Sequence, residues 1–204
     1  MKAALIKDFL SCRLYLRTYA MFSAVFMVIG IATNNPFYSA GIFMIVPIMC
    51  LVSTFSLDET SKWEKLALCS TLKRKDLVNA KYALGFILVI IGYLLNLFTI
   101  TFVTKAFMES IVTSSVFMIL SIFYMSAMIP LMFKFGAEKS RIYSMLILAG
   151  PALIVIGFSS FVDPNLIDIV LNPMIFTSGI VVLLLAILIG SYVYSLKIVS
   201  KKDY

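Results

Sequence analysis

Six long apolar runs constrain this chain more than any other feature. They are Leu14–Ala32, Phe37–Phe55, Ala83–Val103, Ile111–Phe133, Ile142–Phe161 and Ile175–Leu196. A helix that crosses the hydrocarbon core of a bilayer needs roughly 20 mostly apolar residues, and each run meets that length. The runs are continuous rather than alternating, which favours helices over barrel strands. Only 13% of the 204 residues are charged and 62% are hydrophobic, whereas an ordinary soluble domain carries roughly 25% charged residues. The expected fold is an all-α membrane protein with six transmembrane helices. Residues 1–204 read as a single domain, without a repeat or a linker.

The net charge is +7, a balance that often points to nucleic acid. Here the positive residues fall between the apolar runs, so membrane topology accounts for them and no nucleic-acid partner is expected. Lys2, Lys7, Arg13 and Arg17 precede or open the first run, and Lys62, Lys65, Lys73, Arg74, Lys75 and Lys81 lie between the second and third. Lys134, Lys139 and Arg141 follow the fourth, and Lys197, Lys201 and Lys202 follow the sixth. Sixteen of the seventeen Lys and Arg therefore fall on one side, with Lys105 alone on the other. Basic loops stay cytoplasmic, so the chain is expected to be a multi-pass cell-membrane protein with both termini cytoplasmic.

Several kinds of chemistry are excluded. The chain has no His, which removes a Ser-His-Asp triad and the commonest metal ligand, and no metal site is expected. No Gly is followed by Lys, so no phosphate-binding P-loop is present. Cys12, Cys50 and Cys69 do not form a CxxC pair, and no disulfide framework is expected. The apolar runs carry no acidic residue or Lys deep within them, and ion-coupled transporters usually need such groups. Arg17 lies near the inner end of its run, where it can snorkel. Asn96, Thr99, Thr101 and Ser121 are expected to bond between helices. Gly85 and Gly92 are expected at close helix contacts. Pro47, Pro130 and Pro151 interrupt runs, and Gly150-Pro151 is the strongest hinge candidate. An enzyme is not the expected reading.

Three segments outside the runs read as helical. Met1, Ala4, Leu5, Phe9 and Leu10 recur at helical spacing, with Lys2, Lys7, Asp8 and Ser11 elsewhere, as in a short helix lying on the inner membrane surface. Between the second and third runs, DETSKWEKLAL, Asp58 to Leu68, reads as an interfacial helix. Its acidic residues occupy the first turn, and Lys62, Trp63 and Lys65 anchor it at the headgroups. Ser70 or Thr71 then caps a second helix that carries the basic run into the third span. Asp163 and Pro164 open a further short segment, 161–173, on the outer side.

The residues Asp58, Glu59, Lys62, Trp63, Leu66, Ala67 and Leu68, then Arg74, Lys75, Asp76, Val78, Lys81 and Tyr82, form a pattern that resembles the small permeases of type-2 ABC exporters. The tail from Ser195 to Tyr204 is similar to that family's ending. The resemblance extends to exporters of antimicrobial and amphipathic peptides of the phenol-soluble modulin type. It implies an interfacial N-terminal helix, a cytoplasmic coupling helix between the second and third spans, and short outer helices in 161–173. It also implies two permeases paired as a homo- or heterodimer, each docked on an ABC ATP-binding subunit, with membrane lipid around them. Coupling would then fall to Thr71, Leu72, Lys73, Arg74, Lys75, Asp76 and Leu77, and ATP and Mg would sit on the partner. The competing readings are a non-transport immunity or scaffold protein and a secondary transporter.

Overall fold

The computed structural model describes residues 2–33, 35, 37–69, 72–159 and 173–201, and within the helices it leaves the side chains of 2, 14, 37, 39, 42, 141, 144–159 and 173–182 undescribed. The described residues form six helices: α1 (Lys2–Ala32), α2 (Phe37–Thr60), α3 (Trp63–Cys69), α4 (Arg74–Thr104), α5 (Phe107–Ser159) and α6 (Pro173–Lys201). Among the described residues, five helices are long and apolar enough to cross a membrane: α1, α2, α4, α5 and α6. The expected run Ile142–Phe161 falls, as far as Ser159, in the stretch of α5 that follows a break at Gly136.

Helix α5 is not regular along its length. Its 53 residues would span about 80 Å at 1.5 Å per residue, far more than a bilayer. At Gly136 the backbone leaves helical geometry (φ 81°, ψ 171°), which divides α5 into arms 107–135 and 137–159. Only glycine adopts that φ without strain. The second arm begins on a borrowed cap, since the Ala137 N–H donates to Glu59 Oε2 of α2 at 2.8 Å. A carboxylate there satisfies an orphan donor and faces the positive end of the helix dipole. A Cβ on Gly136 would stand 2.6 Å from Glu59 Oε1. Gly136→Ala should therefore combine backbone strain with a lost cap, and lower stability by about 2–3 kcal/mol. Thermal unfolding in detergent would measure this, and Glu59→Gln should show a smaller loss of about 1 kcal/mol.

The short connections make sequential helices neighbours. Lys105 closes α4 in the left-handed region (φ 56°), its N–H donating to Thr101 O at 3.0 Å, and α5 starts two residues later. Helices α1, α2 and α4 pack on one another, and α2, α4 and α6 each pack on α5. The core lies where α2, α4 and α5 meet, around Leu51, Phe55, Leu84, Met125, Ile129 and Phe133. Phe55 and Phe133 meet edge to face at 5.0 Å. Two expected glycines are close-contact points: a Cβ on Gly85 would stand 2.5 Å from Met125 Sδ, and one on Gly92 would stand 2.8 Å from Phe43 O.

Several local expectations are corrected. Helix α1 is uninterrupted from Lys2 to Ala32, so the N-terminal segment forms the first turns of the spanning helix rather than a separate surface helix. The cause is burial: Ala4, Asp8 and Cys12 are spaced four apart on one face, and all three are buried. Asp58 and Glu59 do not open an interfacial helix, because α2 runs on through both to Thr60. The chain turns at Ser61 and at Lys62, whose φ is 51°, and only then begins α3. Thr99, Thr101 and Ser121 bond back to the carbonyls of Leu95, Leu97 and Phe117 within their own helices, not across helices. Asp163, Pro164 and the segment 161–172 lie outside the described residues.

Candidate functional site

At the end of the bundle where α2, α3 and α4 meet, four charged side chains lie together. Lys81 is 5% exposed, Asp8 3% and Asp58 4%. The Lys81 ammonium has three protons and finds three acceptors: Asp58 Oδ2 at 2.6 Å, Asp8 Oδ1 at 3.0 Å and Thr54 Oγ1 at 3.2 Å. Lys7 bonds Asp8 Oδ1 at 2.8 Å and also Asp58. Two cations and two anions make the cluster neutral, which is the condition for keeping charge in a poorly solvated place. The cluster joins α1, α2 and α4. Two rings flank it, with Lys81 Nζ 4.6 Å from the Phe55 centroid and Lys7 Nζ 5.1 Å from that of Trp63. Through Trp63 the short helix α3 is held to the same cluster.

The segment expected to couple, Thr71 to Leu77, ends four residues before Lys81 in the chain. Thr71 lies outside the described residues. Leu72 and Lys73 precede α4, and Lys73 is extended (φ −85°, ψ 151°). The Lys73 N–H donates to Asp76 Oδ2 at 3.3 Å, so Asp76 caps the first turn. Lys73 and Lys75 are exposed, and Leu77 is buried. Arg74, between the two lysines, turns inward and donates to the Val199 carbonyl at 3.3 Å and to that of Ser200. A guanidinium on the last carbonyls of α6 satisfies orphan acceptors and faces the negative end of that helix dipole. The basic stretch thus presents two lysines outward and fastens the start of α4 to the end of α6.

Of the expected anchors, Lys62 and Lys65 are exposed and Trp63 is half-buried beneath Lys7. Gly150 and Pro151 lie in the second arm of α5, with their side chains outside the description. About two turns into α4, Tyr82 hydroxyl bonds Ser191 Oγ at 2.6 Å and Ser195 Oγ at 3.1 Å, and Ser191 donates to the Ser126 carbonyl. Tyr192 donates to Asn79 Oδ1 at 2.7 Å. These bonds join α4, α5 and α6 as the charged cluster joins α1, α2 and α4.

Sequence reasoning named Asp58 and Lys81 only within the family pattern, and missed their pairing with each other and with Asp8, and the inward role of Arg74. A signal was available, since Asp8, Asp58 and Glu59 are the only acidic residues before Ser61 in a strongly basic chain. All three have partners in the structure.

The arrangement offers no catalytic chemistry. Its bonds tie the starts of α1 and α4 to the end of α2, and the start of α4 to the end of α6. Comparison with curated proteins and with solved structures gave no match. A family model described as ABC-2 family transporter protein matches residues 5–200, and the chain therefore belongs to that family of multi-pass membrane permeases.

Proposed function

We propose that the chain is the permease subunit of an ATP-driven exporter that moves amphipathic or antimicrobial peptides out of the cell. In this reading it has six spans with both ends in the cytoplasm. It pairs with a second permease, and each permease docks on an ABC subunit that binds ATP and Mg. Coupling falls to the turn from Thr71 to Leu77, within the cytoplasmic connection between the second and third spans. Membership of the family supports the ATP-binding partner. The observation that carries the docking assignment is the split role of the basic stretch. Lys73 and Lys75 are exposed while Arg74 is bonded to α6, so a push on the lysines would be felt by both helices. An amphipathic cargo is favoured because the charged side chains of the described spans sit near span ends.

The test is a mild-detergent pulldown of the tagged chain as wild type and as Lys73→Glu/Lys75→Glu. Arg74 is left intact because its removal would also loosen α6. A P-loop ATPase should accompany the wild type, and its retention by the variant should fall about tenfold or more, as expected for reversed interface charges. The variant should melt at the wild-type temperature, because both side chains are exposed. A chain that purifies alone in both samples would return the scaffold or immunity reading.

A further inference from the structure

A groove of about 380 Å³ runs between α1, α2 and α4, lined by Phe9, Leu16, Ala20, Met27, Val46 and Leu95 among others. It is open at its side, because Leu16 and Leu95 are 36% and 48% exposed. From Phe9 to Met27 it follows α1 for about 27 Å at 1.5 Å per residue, close to the roughly 30 Å of bilayer hydrocarbon. No charged side chain lines it.

Two arginines stand on its edge. Arg13 lies four positions from Phe9 and three from Leu16, and Arg17 lies three from Ala20, so both adjoin the groove-lining face of α1. Both are exposed. Among the described residues, neither takes part in an ion pair. The carboxylates of Asp8 and Asp58 already hold Lys7 and Lys81, and Glu59 holds the Ala137 N–H. Arg17 also lies inside the span that begins at Tyr15. As the third residue of that span, it can snorkel to headgroup level and meet an anionic phosphate there. Helical side chains lean toward the N-terminus, which directs both guanidinium groups to the charged end of the bundle.

We propose that this groove is a binding site for an anionic membrane phospholipid. Arg13 and Arg17 take the headgroup phosphate, and one acyl chain lies along Leu16, Ala20 and Val46. Guanidinium forks match phosphate oxygens in pairs. A free phosphate would leave the apolar groove unfilled. A second copy paired here by a two-fold axis along the membrane normal would bring both arginine pairs together at the same depth, so like charges oppose that occupant. The proposal does not depend on the transport reading.

The full-length chain in mild detergent would be studied by native mass spectrometry with phosphatidylglycerol and phosphatidylcholine of identical acyl chains. Phosphatidylglycerol should be retained preferentially. Arg13→Gln/Arg17→Gln should reduce its retention on the order of tenfold, to the phosphatidylcholine level, with the melting temperature unchanged. Ala20→Trp should reduce retention of both lipids by occupying the groove. Equal retention of the two lipids by wild type, or unaltered retention by the arginine variant, would overturn the proposal. So would displacement of phosphatidylglycerol by inorganic phosphate, which would assign the arginines to a free ion. Cross-linking between copies through Ala24→Cys, in a chain cleared of its other cysteines, would assign the groove to a second copy instead.

Discussion

Lys81→Met should unfold the charged end of the bundle. The substitution leaves Asp8 and Asp58, at 3% and 4% exposure, sharing Lys7 alone. Removing one partner from a buried ion cluster typically costs about 3–5 kcal/mol, because the remaining charge keeps its desolvation penalty without compensation. Thr54 Oγ1 loses its donor from Lys81 as well. The expected readout is a large fall in melting temperature in detergent and a poor yield of folded chain. The same logic predicts a rescue. Lys81→Met/Asp58→Asn restores neutrality, with Lys7 and Asp8 still paired at 2.8 Å, and should recover more than half of the loss. Equal losses in the single and double variants would show that the uncompensated carboxylate is not what destabilises the single variant, and would sink the account of the cluster given above.

The second large effect is expected at Gly92. Pro47 has no N–H, so the Phe43 carbonyl one turn earlier lacks its helical donor. Helix α4 passes this carbonyl closely, with a Cβ at Gly92 standing 2.8 Å from Phe43 O and 3.1 Å from Pro47 Cγ. Neither neighbour can swing away, one being backbone and the other a ring. Gly92→Ala should therefore force α2 and α4 apart and cost about 2–3 kcal/mol. Gly85→Ala meets the flexible Met125 thioether instead, at 2.5 Å, and should cost less. Gly190→Ala meets nothing within 4 Å and should be neutral or slightly stabilising, since alanine is the better helix former. Melting temperatures of the three variants should follow that order. If Gly92→Ala and Gly190→Ala melt alike, the close approach at Phe43 is not limiting.

Five of the expected spans and the two packing glycines were legible because each rests on a local signal, a run length or a missing side chain among bulky ones. The charged cluster was not, because its members are far apart in the chain. Asp8 and Lys81 are separated by 73 positions, and nothing near Asp8 distinguishes a buried acid from one facing headgroups. Lys2, Lys7, Asp8 and Ser11 read as the wet side of a surface helix, yet Asp8 is inside. Asp58 and Glu59 follow the end of an apolar run, which reads as a helix boundary. Tertiary partners for both carry α2 one turn further. Arg74 was legible as part of a basic stretch, but its acceptors are carbonyls of α6, which no sequence pattern marks. The threonines and Ser121 were misread for the opposite reason: a lone hydroxyl satisfies itself on its own helix. The break at Gly136 separates the two expected runs within α5, but the left-handed φ required there is visible only in the backbone.

Asp58 and Glu59 are consecutive on α2, so their side chains leave the helix about 100° apart. One grips α1 and α4 through the lysines, and the other grips the start of the second arm of α5. With two fastenings at different angles, the end of α2 has no free rotation about its own axis. Any twist lengthens at least one of the bonds. Helix α3 hangs from that same end through the left-handed Lys62. A load arriving at α3 would therefore reach the bundle as a tilt or a slide of α2, with torsion resisted by the two fastenings.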